Sequence, residues 1–119
     1  MKLSYRALVS ATLVGTILEL IMVTTGHTNL EVRGIYPVAG MGISGIAGIL
    51  YTVISTEVIT RDNVIGGAIA GAISALIGIA VSVGMGDVVP LVLVVGTASS
   101  AVTGAVGGWL GRLFSSGRV

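Results

Sequence analysis

The sequence predicts an all-α integral membrane protein: four transmembrane helices packed through small-xxx-small stripes, with both termini cytoplasmic. Three observations predict it. Of the 119 residues, 54% are hydrophobic and only 9% are charged, against about a quarter charged in an average soluble domain. The apolar residues fall into four runs separated by polar links, and a run of about twenty residues at 1.5 Å each crosses a hydrocarbon core about 30 Å thick. Small residues recur at every fourth position in each run. That spacing lets helix backbones approach closely in lipid, which supplies no hydrophobic drive between helices. At this length the chain reads as a single domain, 1–119.

The first span covers about 7–25. Lys2 and Arg6 before it resemble the start of a secretory signal, but the run exceeds the usual h-region, Glu19 interrupts it and no A-x-A site precedes Gly26. It is therefore expected to persist as a helix that stops at Gly26, a residue tolerant of the left-handed conformation. A polar link containing His27, Asn29, Glu31 and Arg33 follows. Span two covers 35–55, with Pro37 in its first turn, where the missing N–H has no helical partner to lose. The segment 56–63 carries Glu57, Arg61 and Asp62, and Asp62 or Asn63 can cap span three, 64–86. Asp87 is placed to cap span four, 88–110, with Pro90 in its opening turn, so spans three and four should form a tight hairpin.

Orientation follows from the basic residues. Four spans put Lys2, Arg6, Arg61, Arg112 and Arg118 on one side and only Arg33 on the other, a positive-inside bias that assigns both termini to the cytoplasm. Tyr5, Tyr36, Trp109 and Phe114 fall at span ends, where aromatic rings favour the headgroup region, and Tyr51 lies about one turn inside.

The longest stripe is Gly66, Ala70, Ser74, Gly78, Ser82 and Gly86 in span three. Span one has Ala7, Ala11 and Gly15; span two has Gly40, Ser44, Gly48 and Thr52; span four has Gly96, Ser100, Gly104 and Gly108; Gly67 and Gly71 are counted with the helix-packing positions. A strict four-residue stripe drifts about 40° per step on a helix of 3.6 residues per turn, so the span-three stripe winds more than halfway round. Span three should then touch at least two neighbours. The stripes are expected to pack the bundle and, because they offer more small faces than a minimal bundle needs, to mediate oligomerisation.

Little in the chain points to chemistry. A net charge of +1 from dispersed basic residues gives no nucleic-acid patch, and the lack of cysteine excludes disulfides and thiolate chemistry. The runs GGAIAGAISALIG and GGWLG lack the preceding strand and the GK[ST] ending of a phosphate loop. The single histidine sits in a link, so no Ser-His-Asp set can be assembled. No enzyme activity, cofactor or metal site is expected. His27 with Glu31 supplies too few ligands for a metal and reads as solvated. Asp87 is explained by capping, with a pore-mouth charge as the alternative.

Glu19 is the exception. It lies four residues after Gly15 and so continues the inward stripe of span one. A carboxylate at such depth is costly, by about 2.5–3.5 kcal/mol on insertion scales, so it should be protonated, paired or wet. It is either a cation or proton site in a small conduction path, with Thr16 or a serine of another span as co-ligand, or hydrogen-bonding glue between helices, or a side chain reaching the interface.

Between Gly34 and Phe114, the motifs GMGISGIAGIL, GGAIAGAISALIG and GAVGGWLGRLF resemble small Gly-rich four-span membrane proteins of archaea and their viruses. The resemblance implies an integral protein of a cell or virion membrane, without an assigned activity and without a functional residue to transfer. The leading expectation is a structural or assembly role, self-associating or docking to a larger membrane complex or envelope. The alternatives are a small ion or proton channel or transporter subunit with Glu19 in the path, and a holin-like permeabilising protein.

Overall fold

The computed structural model describes residues 3–55 and 59–115; Lys2, Glu57 and Arg118 lie outside them. The chain forms α1 (Tyr5–Thr28), α2 (Leu30–Gly34), α3 (Tyr36–Ile54), α4 (Thr60–Gly84) and α5 (Leu91–Ser115). All except α2 are long and apolar enough to cross a membrane, which makes four candidate spans among the described residues. The long axis measures 45 Å. At about 1.5 Å per residue α1, α4 and α5, with 24, 25 and 25 residues, exceed a hydrocarbon core of about 30 Å, and α3, with 19, about matches it.

The side-chain distribution is that of a protein solvated by lipid. Val9, Leu13, Ile17 and Ile21 of α1, Ile73 and Ile77 of α4, and Val94, Val102 and Leu113 of α5 all face outward. The interior instead holds Ala7, Ala11, Ala47 and Ala70 with Ser44, Ser74 and Ser82, and Tyr51 is the largest fully buried side chain. Helices α3 and α4 pack on each other and each also touches both α1 and α5, whereas α1 and α5 do not meet. The section is thus a rhombus with α3 and α4 across its short diagonal. Helix α4 touches α1, α3 and α5.

Several boundaries differ from the sequence expectation. Helix α1 does not stop at Gly26 but runs to Thr28, and Asn29 then caps α2 by accepting from the N–H groups of Glu31 and Val32 at 3.0 and 3.2 Å. Gly26 is small because the Tyr36 ring lies against it. The polar link is accordingly a short helix. Helix α4 starts at Thr60 behind Ile59, with no side-chain cap, so Asp62 and Asn63 are buried first-turn residues rather than caps; an acidic group there also suits the positive end of the helix dipole.

Gly86 is not a packing residue. Its φ of +78° is left-handed, and a Cβ there would meet nothing within 4 Å. It follows Met85 as the residue that ends α4: the Asp87 N–H donates to the Ser82 carbonyl and the Gly86 N–H to the Val83 carbonyl, both at 3.0 Å, the paired bonds of a Schellman motif. Helix α5 then opens after Pro90, with Val92 N–H donating to the Val89 carbonyl. Asp87 does not cap α5, because its carboxylate is turned toward α1 and α2.

Several of the small residues lie where helices approach. A Cβ on Gly67 or Gly48 would strike the Gly104 carbonyl, one on Gly104 the Gly67 carbonyl, and one on Gly108 the Asn63 carbonyl. A Cβ on Gly71 would come to 2.9 Å from the Ser100 carbonyl oxygen and 3.2 Å from that of Ser44. Gly66 receives the Tyr51 ring, and Gly15 faces Ser74 and Ala47. Hydroxyls add bonds between helices: Ser44 donates to the Gly71 carbonyl at 3.2 Å, Thr52 to that of Gly108 at 2.5 Å, and Ser74 to that of Thr12 at 3.3 Å, shared with the Ala70 carbonyl of its own helix at 2.7 Å.

Candidate functional site

Every fourth residue of α1 from Ala7 through Gly15 to Val23 is buried, and Gly26 continues the ridge. Glu19 lies on it and is carried inward by helical spacing alone. It is 1% exposed and sits nine residues from the end of α1, about 14 Å along the axis. Two glycines make room for it. A Cβ on Gly78 of α4 would lie 2.8 Å from the Glu19 Cβ and 3.0 Å from Oε2, and one on Gly40 of α3 would lie 3.8 and 3.9 Å from the two carboxylate oxygens. Oε1 has no hydrogen-bond partner. Among the described residues the ion pairs leave Glu19 without a cation.

A cavity of about 470 Å³ leads from Glu19 to the end of the bundle that carries α2, reaching Arg33, Asp87 and Val88. Its walls are chiefly Met22, Tyr36, Met41, Ile79, Val92 and Val95, with Ser82, Ser99 and Ser100 as polar members. Tyr36 is held in place by donating to the Val23 carbonyl at 3.0 Å, with its ring on Gly26 and its phenol beside the buried Ser82 hydroxyl. In the opposite direction the cavity ends: Gly15 closes on Ser74, and Ala11, Ala47, Ala70 and Tyr51 are wholly buried beyond it.

The rim is an ion cluster. Asp87 holds His27 Nδ1 at 2.9 Å and Arg33 at 3.3 Å, and its side chain is only 6% exposed. Arg33 also donates to the carbonyls of Gly26 and His27 at 3.1 and 2.8 Å, satisfying groups that the end of α1 leaves open. The cavity thus contains two carboxylates of different standing. Asp87 is paired with Arg33 at the rim, while Glu19 at the base has no cationic partner among the described residues.

Not all the expected packing positions belong to close approaches. Gly40 has no atom nearer than 3.7 Å to an added Cβ and lines the cavity instead. Gly96 faces only the flexible tip of Ile79 at 2.5 Å and is also a wall residue. Ser82, at the α2 end of the α4 stripe, lines the cavity, whereas Gly66, Gly67, Ala70, Gly71, Ser74 and Gly78 lie at contacts between helices, Gly78 against the Glu19 side chain. Thr16 is not among the lining residues; Ser82, Ser99 and Ser100 are the serines of other spans that are. Tyr36 points inward rather than into the headgroups. His27 and Asp87 are 60 residues apart, so no local spacing signals their pairing.

Comparison of the chain with family models, with curated proteins and with solved structures gives no match.

Proposed function

We propose that this chain is a small multi-pass membrane protein that takes up a cation at Glu19, acting as a transporter or channel subunit, with both termini cytoplasmic and the cavity open to the opposite side. The supporting observation is a carboxylate 1% exposed, with Oε1 unpartnered, at the base of a cavity that ends there. An ionisable side chain at membrane depth marks a substrate or ion pathway more often than it stabilises a bundle. Because the cavity is closed beyond Glu19, the arrangement suits a carrier or gated path open on one side, in which the cation binds before passage is completed.

The test is cation and proton flux in proteoliposomes, compared between the natural chain and Glu19→Gln. The substitution keeps side-chain volume and removes the charge. Flux that falls with Glu19→Gln supports the reading, and flux of equal size in both chains removes it.

An assembly role in a cell or virion membrane is the second reading, as the resemblance to small archaeal and viral proteins implies. Gly42 and Gly84, where an added Cβ meets nothing within 4 Å, favour contact with a second copy. Packing through the small-residue stripes belongs to the bundle on this account, because those residues are already occupied by α3, α4 and α5 of the same chain. A mass measurement in mild detergent separates the readings: a stable oligomer without Glu19-dependent flux favours assembly.

A further inference from the structure

We infer that the cavity binds an organic monocation with an apolar body, an alkylammonium or arylalkylammonium compound, with its ammonium on Glu19. This rests on the cation reading above and adds the class of ligand. Three features of the cavity carry it. The first is charge: Arg33 answers Asp87 at the rim, so Glu19 is the carboxyl of the cavity that has no cationic partner, and as a carboxylate it matches one positive charge.

The second is the supply of oxygen atoms. A bare divalent ion takes about six or more oxygen ligands, and no group of three or more acidic, histidine or cysteine side chains suited to a metal exists among the described residues. Of the lining serines, Ser99 already donates to its own helix, to the Val95 carbonyl at 2.8 Å. The third is the wall. A volume of about 470 Å³ lies in the range of small-molecule sites, roughly 300–1,000 Å³, and far exceeds a metal ion. Met22, Met41, Ile79, Val92 and Val95 offer apolar surface, and Tyr36 offers an aromatic ring. Thioethers adapt to irregular apolar bodies and aromatic faces attract ammonium groups. A hydrated inorganic ion would waste this lining. An amphiphilic amine would use its two ends against the two kinds of surface.

The ammonium could come from a free amine or from a lipid headgroup, so binding is measured in nanodiscs of phosphatidylglycerol and again in phosphatidylcholine. The probe is benzyltrimethylammonium, followed by equilibrium binding to the full chain, with methylammonium, sodium ion and the neutral isostere neopentylbenzene as competitors. We expect the probe to bind, methylammonium, sodium and the neutral isostere to compete poorly, and Glu19→Gln to weaken binding by about thirtyfold or more. Weaker apparent binding in phosphatidylcholine supports the same ligand class and assigns its source to a headgroup; equal binding in both lipids supports a free amine.

Gly40→Leu supplies an independent check. The first added carbon has ordinary contact distances of 3.7 Å or more, so the side chain enters the cavity rather than a backbone. It should reduce binding of benzyltrimethylammonium, and unchanged binding would overturn the placing of the apolar body in this cavity; Gly40→Ala, with a single carbon in open contact, checks the same trend if the leucine variant is misfolded. If sodium or methylammonium competes as well as the probe, and Glu19→Gln abolishes all of it, the ligand class is overturned and the cation reading stands. If Glu19→Gln leaves probe binding unchanged, both are overturned.

Discussion

Gly71 is the position where the packing account is most exposed to test. A Cβ there would lie 2.9 Å from the Ser100 carbonyl oxygen, 3.0 Å from the Gly104 Cα and 3.2 Å from the Ser44 carbonyl oxygen. Ordinary carbon contacts lie at about 3.5–4.0 Å, so the first added atom is short by about 0.5–1 Å toward the α5 backbone and by about 0.3–0.8 Å toward that of α3. Backbone cannot turn aside as a side chain can. For Gly71→Ala the helix gains up to about 1 kcal/mol of propensity against about 1–3 kcal/mol of overpacking, a net loss of about 0–2 kcal/mol. Gly71→Leu adds three more carbons in the same direction and strains the Ser44 hydrogen bond to the Gly71 carbonyl, itself worth about 0.6 kcal/mol in a membrane setting. The expected loss is about 3 kcal/mol or more. Thermal unfolding in nonionic detergent, followed by circular dichroism and gel filtration, should show the folded monomer itself destabilised. Gly42→Leu, exposed and facing open space, is the control that should unfold like the natural chain. If Gly71→Leu unfolds normally and merely splits an oligomer, the stripe faces another copy and the reasoning fails.

Gly86→Ala places a side chain at φ +78°, which costs about 1–2 kcal/mol for an L-residue; a lowered unfolding temperature checks it, and Gly86→Asn should lose less. Gly104→Leu drives a side chain into the Gly67 backbone and should fail to give a folded monomer in the same assay, with an expected loss of about 3 kcal/mol or more. Asp87→Asn releases Arg33 and His27, and because His27 is 46% and Arg33 30% exposed the stability change should be small, about 1 kcal/mol or less; faster tryptic cleavage after Arg33 is the sharper readout, and in the natural chain it should rise with salt. The chain lacks cysteine, so single cysteines report topology directly. Val89→Cys, 63% exposed at the α2 end, should react with an impermeant maleimide from outside the cell, and Ser4→Cys should not.

The elements were readable because a run of apolar residues about as long as a membrane is thick has few alternatives. Their ends were less so. Hydropathy marks where lipid stops, whereas a helix continues for as long as its backbone is satisfied: α1 passes Gly26 because Tyr36 packs there, and α4 begins at Thr60 because Asp62 and Asn63 are buried in its first turn. Gly86 fitted the stripe by spacing but belongs to a turn, since a period of four runs past the end of a helix without notice. Spacing likewise names the face of a helix and not its partner, so it could not separate packing within the chain from packing between copies. The inward placing of Glu19 was legible from Gly15. The cavity above it was not, because it depends on α3 and α4 presenting Gly40 and Gly78 to the same carboxylate, and on Asp87 meeting residues far away in the sequence.

The most direct test of the central claim, that the Glu19 carboxylate binds the cation, is an infrared difference spectrum of the reconstituted protein on addition and removal of benzyltrimethylammonium. A reversible change in a carboxyl or carboxylate band is expected in the natural chain that vanishes in Glu19→Gln, while Asp87→Asn retains it. A band that persists unchanged in Glu19→Gln, or no carboxyl response while the probe binds, would contradict it.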